Sequence, residues 1–367
     1  MTIIFTVTND LSYDQRMHRI CETLSANGYQ VTLTGRELPE SGPLKEQSFR
    51  LVRLRCFFRK GFLFYAEYNI RLFFFLLRLK KWDAVGTVDL DTMPAGYFAS
   101  VLRGKKRVYD AHEYFTEVPE VVNRKLVKCF WELVGWLFIP RYRYAYTVGP
   151  ALASILSNRY GIEFGVVRNV PVVREPVKRS MQQLPHTILY QGSLNEGRGI
   201  ESLLRAMTLL DEKYKLLLAG EGDLSAKLRE LAKSLDLGEK VQFLGYVEPG
   251  KLKNITGTAW LGVNLLENRG LSYYYSLANK YFDFVQAGVP VLTMDFPEYH
   301  ALNQEYEVAV LLEKAAPEVI AEAVTALGNS PASYARLSEA CVRAAQEWNW
   351  TQDSKTLLNI WASVSVD

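Results

Sequence analysis

Cysteine is scarce in this chain: Cys21, Cys56, Cys129 and Cys341 are the only four in 367 residues, and they form neither a C-x-x-C pair nor a metal-ligand spacing. That excludes a disulfide scaffold and the common zinc frameworks, and leaves the thiols as small core residues in a reducing, cytosolic compartment. Long apolar runs are missing too. The richest stretches, Phe62–Leu79 and Leu126–Tyr146, are broken by Glu67, Asn69, Arg71 and Arg78 and by Lys128, Glu132, Arg141 and Arg143, so no membrane-spanning helix is expected. The opening Met1–Val7 has no charged head or cleavage site of a signal peptide and runs directly into a strand pattern. Neither G-x-G-x-x-G nor G-x-x-x-x-G-K-[ST] occurs, which argues against dehydrogenases and P-loop ATPases.

What is present is ordinary for a folded soluble chain: 49% hydrophobic and 23% charged residues. The length suits two α/β domains. A net charge of +3 hides an asymmetry, because residues 1–170 hold 24 Lys and Arg against 16 Asp and Glu, whereas residues 171–367 hold 19 against 24. The first half therefore favours an anionic partner and the second half does not. Nine basic residues and one acid, Glu67, fall within residues 50–81.

Short apolar runs alternate with longer mixed stretches, the pattern of β-α units around parallel sheets. Strands are expected at Ile3–Thr8, Gln30–Thr34, Ala84–Val88, Arg107–Tyr109, Ala145–Val148 and Gly165–Arg168. Pro171–Pro185 is polar, contains three prolines and has no period, which marks a linker. A second alternation follows, with strands at Thr187–Gln191, Tyr214–Ala219, Val241–Leu244, Leu261–Leu265 and Val289–Met294. Helices are expected after the strands, and the end of the chain reads as helical. The domains expected are 1–172, 173–345 and a terminal helix, 346–367.

Three strand-to-helix junctions of the second half are glycine-rich: Gln191–Gly199, Ala219–Asp223 and Gly245–Glu248. Such junctions make phosphate sites, since helix N-termini offer unpaired N–H groups and parallel sheets bind ligands beyond their C-terminal edges. One alone is common architecture; three in one domain carry more weight.

Tyr190–Leu204, Leu218–Asp223, Val241–Val247 and Ser276–Val291 resemble, in order and spacing, the donor-binding domain of glycosyltransferase family 4, also called group 1. Asn9–Arg16, Val88–Asp91 and Tyr109–Phe115 extend a looser likeness over the first half. The resemblance implies the B-type glycosyltransferase fold: two Rossmann-like domains facing each other across a cleft, with the C-terminal helix crossing back to the first. It also implies retaining transfer of a hexosyl unit from a UDP- or GDP-sugar co-substrate, without a tightly bound cofactor or a metal. The acceptor implied is a glycan or lipid-linked glycan of cell-surface polysaccharide or glycolipid synthesis.

By the same resemblance, the family's G-R-L-x-x-x-K-G motif has Ser193 in place of its Arg and Arg198 in place of its Lys, and Lys280 is the candidate for the missing cation. Gly192, Ser193, Gly220 and Gly222 would line the phosphates, Tyr246 and Val247 the base, and Asp283 the ribose. Tyr275 stands where the family has the first Glu of its Glu-x7-Glu pair, so Leu271–Ser276, with Asn279, or Glu267 looping back, would meet the sugar. His112 would hydrogen-bond the donor sugar, and Asp14 and Arg16, in the loop after the first strand, would face the acceptor or phosphate. Ordinary alternatives stand beside each: His112 as a core or surface histidine, Arg198 as a turn cap, Asp283 as a dipole partner, Asp14 as a helix N-cap, and Lys280 as a solvated lysine.

Most aromatics of the basic stretch (Phe62, Tyr65, Tyr68, Phe73, Phe74) fit a core helix face, while Phe57–Phe62 has the make-up of an interfacial loop. Peripheral contact with an anionic membrane through the N-terminal domain is therefore an expectation; nucleic acid is not. The resulting location is cytoplasmic, at the inner membrane face. A non-catalytic nucleotide-sugar binder, or an epimerase or phosphorylase of the same fold, is the alternative reading.

Overall fold

A computed structural model describes residues 1–12, 14–173 and 186–366. The chain divides into two compact units, Met1–Arg168 with Asp353–Asp367, and Asn169–Gln352. Residues 174–185 of the expected linker lie outside the described residues.

In the first unit seven strands form one parallel sheet: β1 Thr2–Asp10, β2 Gln30–Glu37, β3 Arg50–Arg55, β4 Ala84–Val88, β5 Lys106–Ala111, β6 Tyr144–Thr147 and β7 Phe164–Val166, in the order β3-β2-β1-β4-β5-β6-β7. The second unit repeats the plan with β8 His186–Gln191, β9 Tyr214–Ala219, β10 Val241–Gly245, β11 Leu261–Asn264, β12 Val291–Met294 and β13 Ala309–Leu312, ordered β10-β9-β8-β11-β12-β13. Both orders reverse direction once, between β1 and β4 and between β8 and β11. At such a switch point the crossovers leave in opposite directions and open a crevice beyond the strand ends.

Burial on both faces explains the continuous apolar runs: all of Ala84–Val88 and all of Leu261–Asn264 are buried. The helix Gly61–Arg78 turns Phe64, Tyr68, Leu72 and Leu76 inward at four-residue spacing, against Ile4, Val85, Ala95 and Ala99. Of its other aromatics, Tyr65 and Phe73 are half-buried and pack against that cluster, in line with the expected core role, whereas Phe62 and Phe74 point to solvent at 68% and 49% exposure. The outward side of this helix carries Phe62, Leu63, Ile70 and Phe74 beside Arg71 and Arg78, an apolar content that a one-faced reading does not anticipate.

The final helix, Trp350–Val366, returns to the first unit's sheet. Arg168, after β7, donates from Nε and Nη2 to the Asp353 carboxylate at 2.9–3.2 Å, and its backbone N–H adds a third donor. Further along, Trp361 is fully buried and meets the Phe5 ring of β1 edge-on at 5.3 Å. Trp361→Ala is expected to cost the first unit about 3–5 kcal/mol, read as a lower denaturant midpoint for that unit with the second unit's transition unmoved.

Candidate functional site

Beyond the C-terminal edge of the first sheet, one buried network ties three strands to a helix. Arg16 lies in the first turn of the helix Gln15–Ala26, at 5% exposure, rather than in the loop before it. Its Nη2 donates to Asp110 Oδ1 at 3.1 Å and its Nη1 to the Val167 carbonyl at 2.9 Å. The other Asp110 oxygen sits 3.2 Å from His112 Nε2. Asp14 caps the same helix, its Oδ1 accepting from the Met17 N–H at 3.0 Å while Oδ2 accepts from Asn9. The carboxylate of Asp14 thus has a structural occupation, and Arg16 is aimed at the protein interior.

His112 is the partly exposed end of this network. Burial pulls its pKa down, but the Asp110 carboxylate outweighs that and holds it above the ordinary histidine value. Burial pushes Asp110 up, and Arg16 and His112 together bring it below the usual carboxylate range. The imidazole is therefore biased toward the proton-bearing, donating form, with its ring fixed from behind.

Two carboxylates that sequence reasoning did not select stand beside it. Asp89 follows β4 with a φ of 53°, a conformation that favours glycine. The turn holds because the Asp89 N–H donates to the Asp110 carbonyl and Asp89 Oδ1 accepts from the His112 N–H, both at 2.9 Å. Burial raises the Asp89 carboxyl well above its usual range, against the pull of His112. Asp91, 7% exposed, accepts from Thr8 Oγ1 at 2.5 Å, and burial pushes its pKa to about 6. Their only sequence signal was the Val88–Asp91 segment, whose polar residues end an apolar strand.

In the second unit the loops after β8 and β9 are stitched together. Gly192 N–H donates to the Ala219 carbonyl at 2.9 Å, Leu194 N–H to the Glu221 carbonyl at 3.2 Å, and Asp223 N–H to Asn195 Oδ1 at 3.1 Å. The closeness leaves no room for side chains. A Cβ on Gly220, whose φ is +153°, would overlap the Gly192 carbonyl oxygen, and one on Gly222 would overlap Asn195 Oδ1.

Onto this base come two cations. Lys280, in the first turn of the helix Asn279–Gln286, lays its Nζ 4.1 Å from the centre of the Tyr190 ring, next to the open side of Gly192. Arg198 precedes the helix Ile200–Leu209 and stacks its guanidinium over Tyr273 at 5.0 Å, with its Nε buried and unbonded. Among the described residues neither has an ion-pair partner. Burial drives the Lys280 pKa well below the ordinary lysine value, and nearby Arg198 adds to the depression. Cation–π contacts give partial relief only.

The other expected residues distribute around this pair. Asp283 accepts from Gln191 Nε2 at 3.3 Å, and Gln191 is itself fixed by Thr256 Oγ1 at 2.7 Å. Ser193 offers its carbonyl to the Tyr190 hydroxyl at 2.7 Å. Tyr246 is exposed and Val247 half-buried after β10; Tyr275 is half-buried, Asn279 exposed, and Ser276 Oγ is bonded to the Tyr273 carbonyl. Glu267 does not reach back as a free carboxylate: its Oε2 accepts from Arg269 Nε at 2.6 Å. Sequence reasoning missed Tyr190, Tyr273 and Gln191 as the supports of these groups.

Residues 175–348 match the family described as glycosyl transferases group 1. The second unit carries a group 1 glycosyl transferase domain. A stretch of 74 residues is 40% identical to an uncharacterized glycosyltransferase of Methanocaldococcus jannaschii, covering 20% of this chain and 19% of that protein, so the match spans about a fifth of the relative's length. Among solved structures, sucrose-phosphate synthase from Thermosynechococcus elongatus is similar over 100% of this chain and 99% of its own, with a TM-score of 0.79 at 16% identity. The Anabaena protein HepE, in complex with UDP and glucose, is similar over 99% and 100% with a TM-score of 0.79 at 12% identity. The likeness to these structures is one of fold: two Rossmann-like units, the B-type glycosyltransferase architecture. The glycosyl transferase domain thus includes the Lys280–Arg198 cluster, while the His112 network lies in the unit outside the family match.

The Asp91 shift has a defined sign. Its folded pKa, about 6, exceeds the ordinary aspartate value of 3.8, so the folded state holds the proton longer and loses stability as pH rises from about 3.8 to about 6. Asp91→Asn is expected to gain on the wild type across that window, by about 3 kcal/mol at its upper end. Urea midpoints of both proteins along a pH series measure it; a gap that does not widen with pH contradicts the assignment.

Proposed function

We propose that the protein is a retaining glycosyltransferase that moves a hexosyl unit from a UDP- or GDP-sugar to a glycan or lipid-linked acceptor in cell-surface polysaccharide or glycolipid synthesis. The observation that carries this reading is the pair of part-buried cations, Lys280 and Arg198, with no counter-ion among the described residues. A diphosphate supplies that charge. It gains negative charge as the glycosidic bond breaks, so cations placed there favour the transition state over the bound ground state. The N-termini of the helices Ile200–Leu209 and Asn279–Gln286, neither capped by a side chain, add positive dipole ends.

Asp283, braced by Gln191, takes the ribose hydroxyls, and Gly245–Val247 the base. His112, held by Asp110, is the donor that meets the transferred sugar, and the acceptor belongs to the first unit. The departing phosphate oxygen takes the acceptor's proton, so no protein nucleophile is assigned. UDP is bound by the similarly folded HepE, which favours a UDP-sugar as the first donor to try. An inner-membrane location suits a lipid-linked acceptor.

Calorimetric titration with UDP-glucose and GDP-mannose, followed by turnover with acceptor extracts and NMR of the product's anomeric centre, tests the reading. Tight binding with no turnover favours a non-catalytic binder; release of free or epimerised sugar favours the other alternative. Arg198→Ala is expected to lower kcat roughly 100-fold or more with an unchanged melting temperature. Unaltered turnover removes Arg198 from the site.

Burial depresses the Lys280 pKa, and a diphosphate beside it favours the charged form. Lys280→Met is therefore expected to weaken donor binding in the same calorimetric titration, and unaltered affinity removes Lys280 from the site.

A further inference from the structure

Fourteen of the twenty-two large hydrophobic residues exposed among the described residues fall between Phe57 and Trp136, all in the first unit. Twelve of them lie on three neighbouring helices, and Phe57 and Phe58 precede the first. Gly61–Arg78 turns Leu63, Ile70 and Phe74 outward, and Met93–Leu102 turns out Phe98, Val101 and Leu102. Lys125–Phe138 exposes Leu126, Phe130, Leu133 and Trp136 at helical spacing, with Leu126 88% and Trp136 68% open. The stripes join: the Phe62 and Phe130 rings meet edge-on at 5.8 Å, and Phe98 and Phe138 at 5.6 Å. Arg103 donates to the Leu77 and Leu79 carbonyls, tying the ends of the first two helices.

The rim of this face is basic. Arg59, Lys60 and Arg124 precede two of the helices and Lys125 begins one, and Lys80, Lys81 and Lys105 follow the other ends; among the described residues none of these side chains has an ion-pair partner. We propose that this three-helix face docks the first unit onto an anionic lipid bilayer, the apolar side chains entering the acyl boundary and the lysines and arginines meeting phosphate headgroups. Charge decides the occupant. Two copies joined through this face would set like-charged rims against each other, and lysine is depleted from protein interfaces, whereas basic residues around an apolar face are what an anionic leaflet attracts. This deepens the membrane-side location of the proposed function and rests on that reading for its purpose, but docking itself needs no donor or acceptor.

Flotation of the full chain, without nucleotide sugar, on vesicles of phosphatidylcholine alone and of phosphatidylcholine mixed with phosphatidylglycerol tests it. Binding is expected to the mixed vesicles and to fall as salt rises. Leu133→Glu with Trp136→Glu should abolish it, and Lys60→Glu with Lys125→Glu should weaken it by roughly fivefold or more per site. Leu209→Glu, an exposed apolar residue of the second unit, should leave it intact. Circular dichroism and turnover on a soluble acceptor, unchanged in all variants, separate loss of docking from loss of fold or of catalysis. Equal binding to neutral vesicles, or a wild-type dimer that Leu133→Glu with Trp136→Glu converts to monomer, overturns the proposal.

Discussion

Two part-buried cations with no counter-ion among the described residues set the terms for the second unit. A lysine ammonium moved away from solvent loses several kcal/mol of hydration even after relaxation, and Lys280 recovers part of it only from the face of Tyr190. Arg198 makes the position worse, since it adds like charge. Evenly spread surface charge would avoid this arrangement. The backbone enforces it: Gly192, Gly220 and Gly222 let the loops after β8 and β9 collapse onto one another, and two helices begin beside that floor. Tyr273 and Tyr190 then hold the cations in place while leaving their charge available to an anion.

The first unit resolves the same problem in the opposite way. Arg16 is more deeply buried than either cation of the second unit, yet it is satisfied by Asp110 and the Val167 carbonyl. Removing one member of such a buried pair leaves the other charge stranded, so Arg16 and Asp110 form a fixed mount, and His112 is what the mount presents. Its orientation is set before any ligand arrives, the condition under which a hydrogen-bond donor contributes most to a transition state. Asp89 locks the same corner through one backbone bond to Asp110 and one from the His112 N–H to its carboxylate, at the expense of an unfavourable φ.

Central strands were legible in the sequence because burial on both faces leaves a continuous apolar run; β1, β4, β8, β9 and β11 all carry one. Two edge strands were not. β3, Arg50–Arg55, has arginine at three of its six positions, and β13 is apolar but only four residues long; short or charged edge strands leave a weaker trace. Single positions show the same limit. The residue type of Arg16 points to a ligand contact, and only the fold reveals that its guanidinium faces inward. Asp89 and Asp91 gained their character from burial, which no spacing encodes. The helix Gly61–Arg78 looked like a core helix because its pattern is apolar, and periodicity cannot distinguish one buried face from two apolar ones. Arg198 and Asp283 are singled out by the resemblance through their spacing to glycines, and Lys280 as the substitute for a missing cation; the bracing of Asp283 by Gln191 has no such signal.

The departure from the family's phosphate motif now has a physical account. Where the motif has an arginine the chain has Ser193, whose carbonyl is engaged by the Tyr190 hydroxyl. The same tyrosine offers its ring face to Lys280, so one side chain both closes the loop and seats a cation arriving from a different helix. Positive charge at the glycine floor is kept, but its source has moved from the loop to the helix Asn279–Gln286. A half of the chain that carries more acids than bases, 24 against 19 over residues 171–367, thus keeps a local concentration of positive charge, made by two part-buried groups. The basic surplus of residues 1–170 sits elsewhere, around the exposed apolar helices. The two concentrations of positive charge are thus built differently, one spread around exposed apolar helices and the other confined to two side chains at the glycine floor.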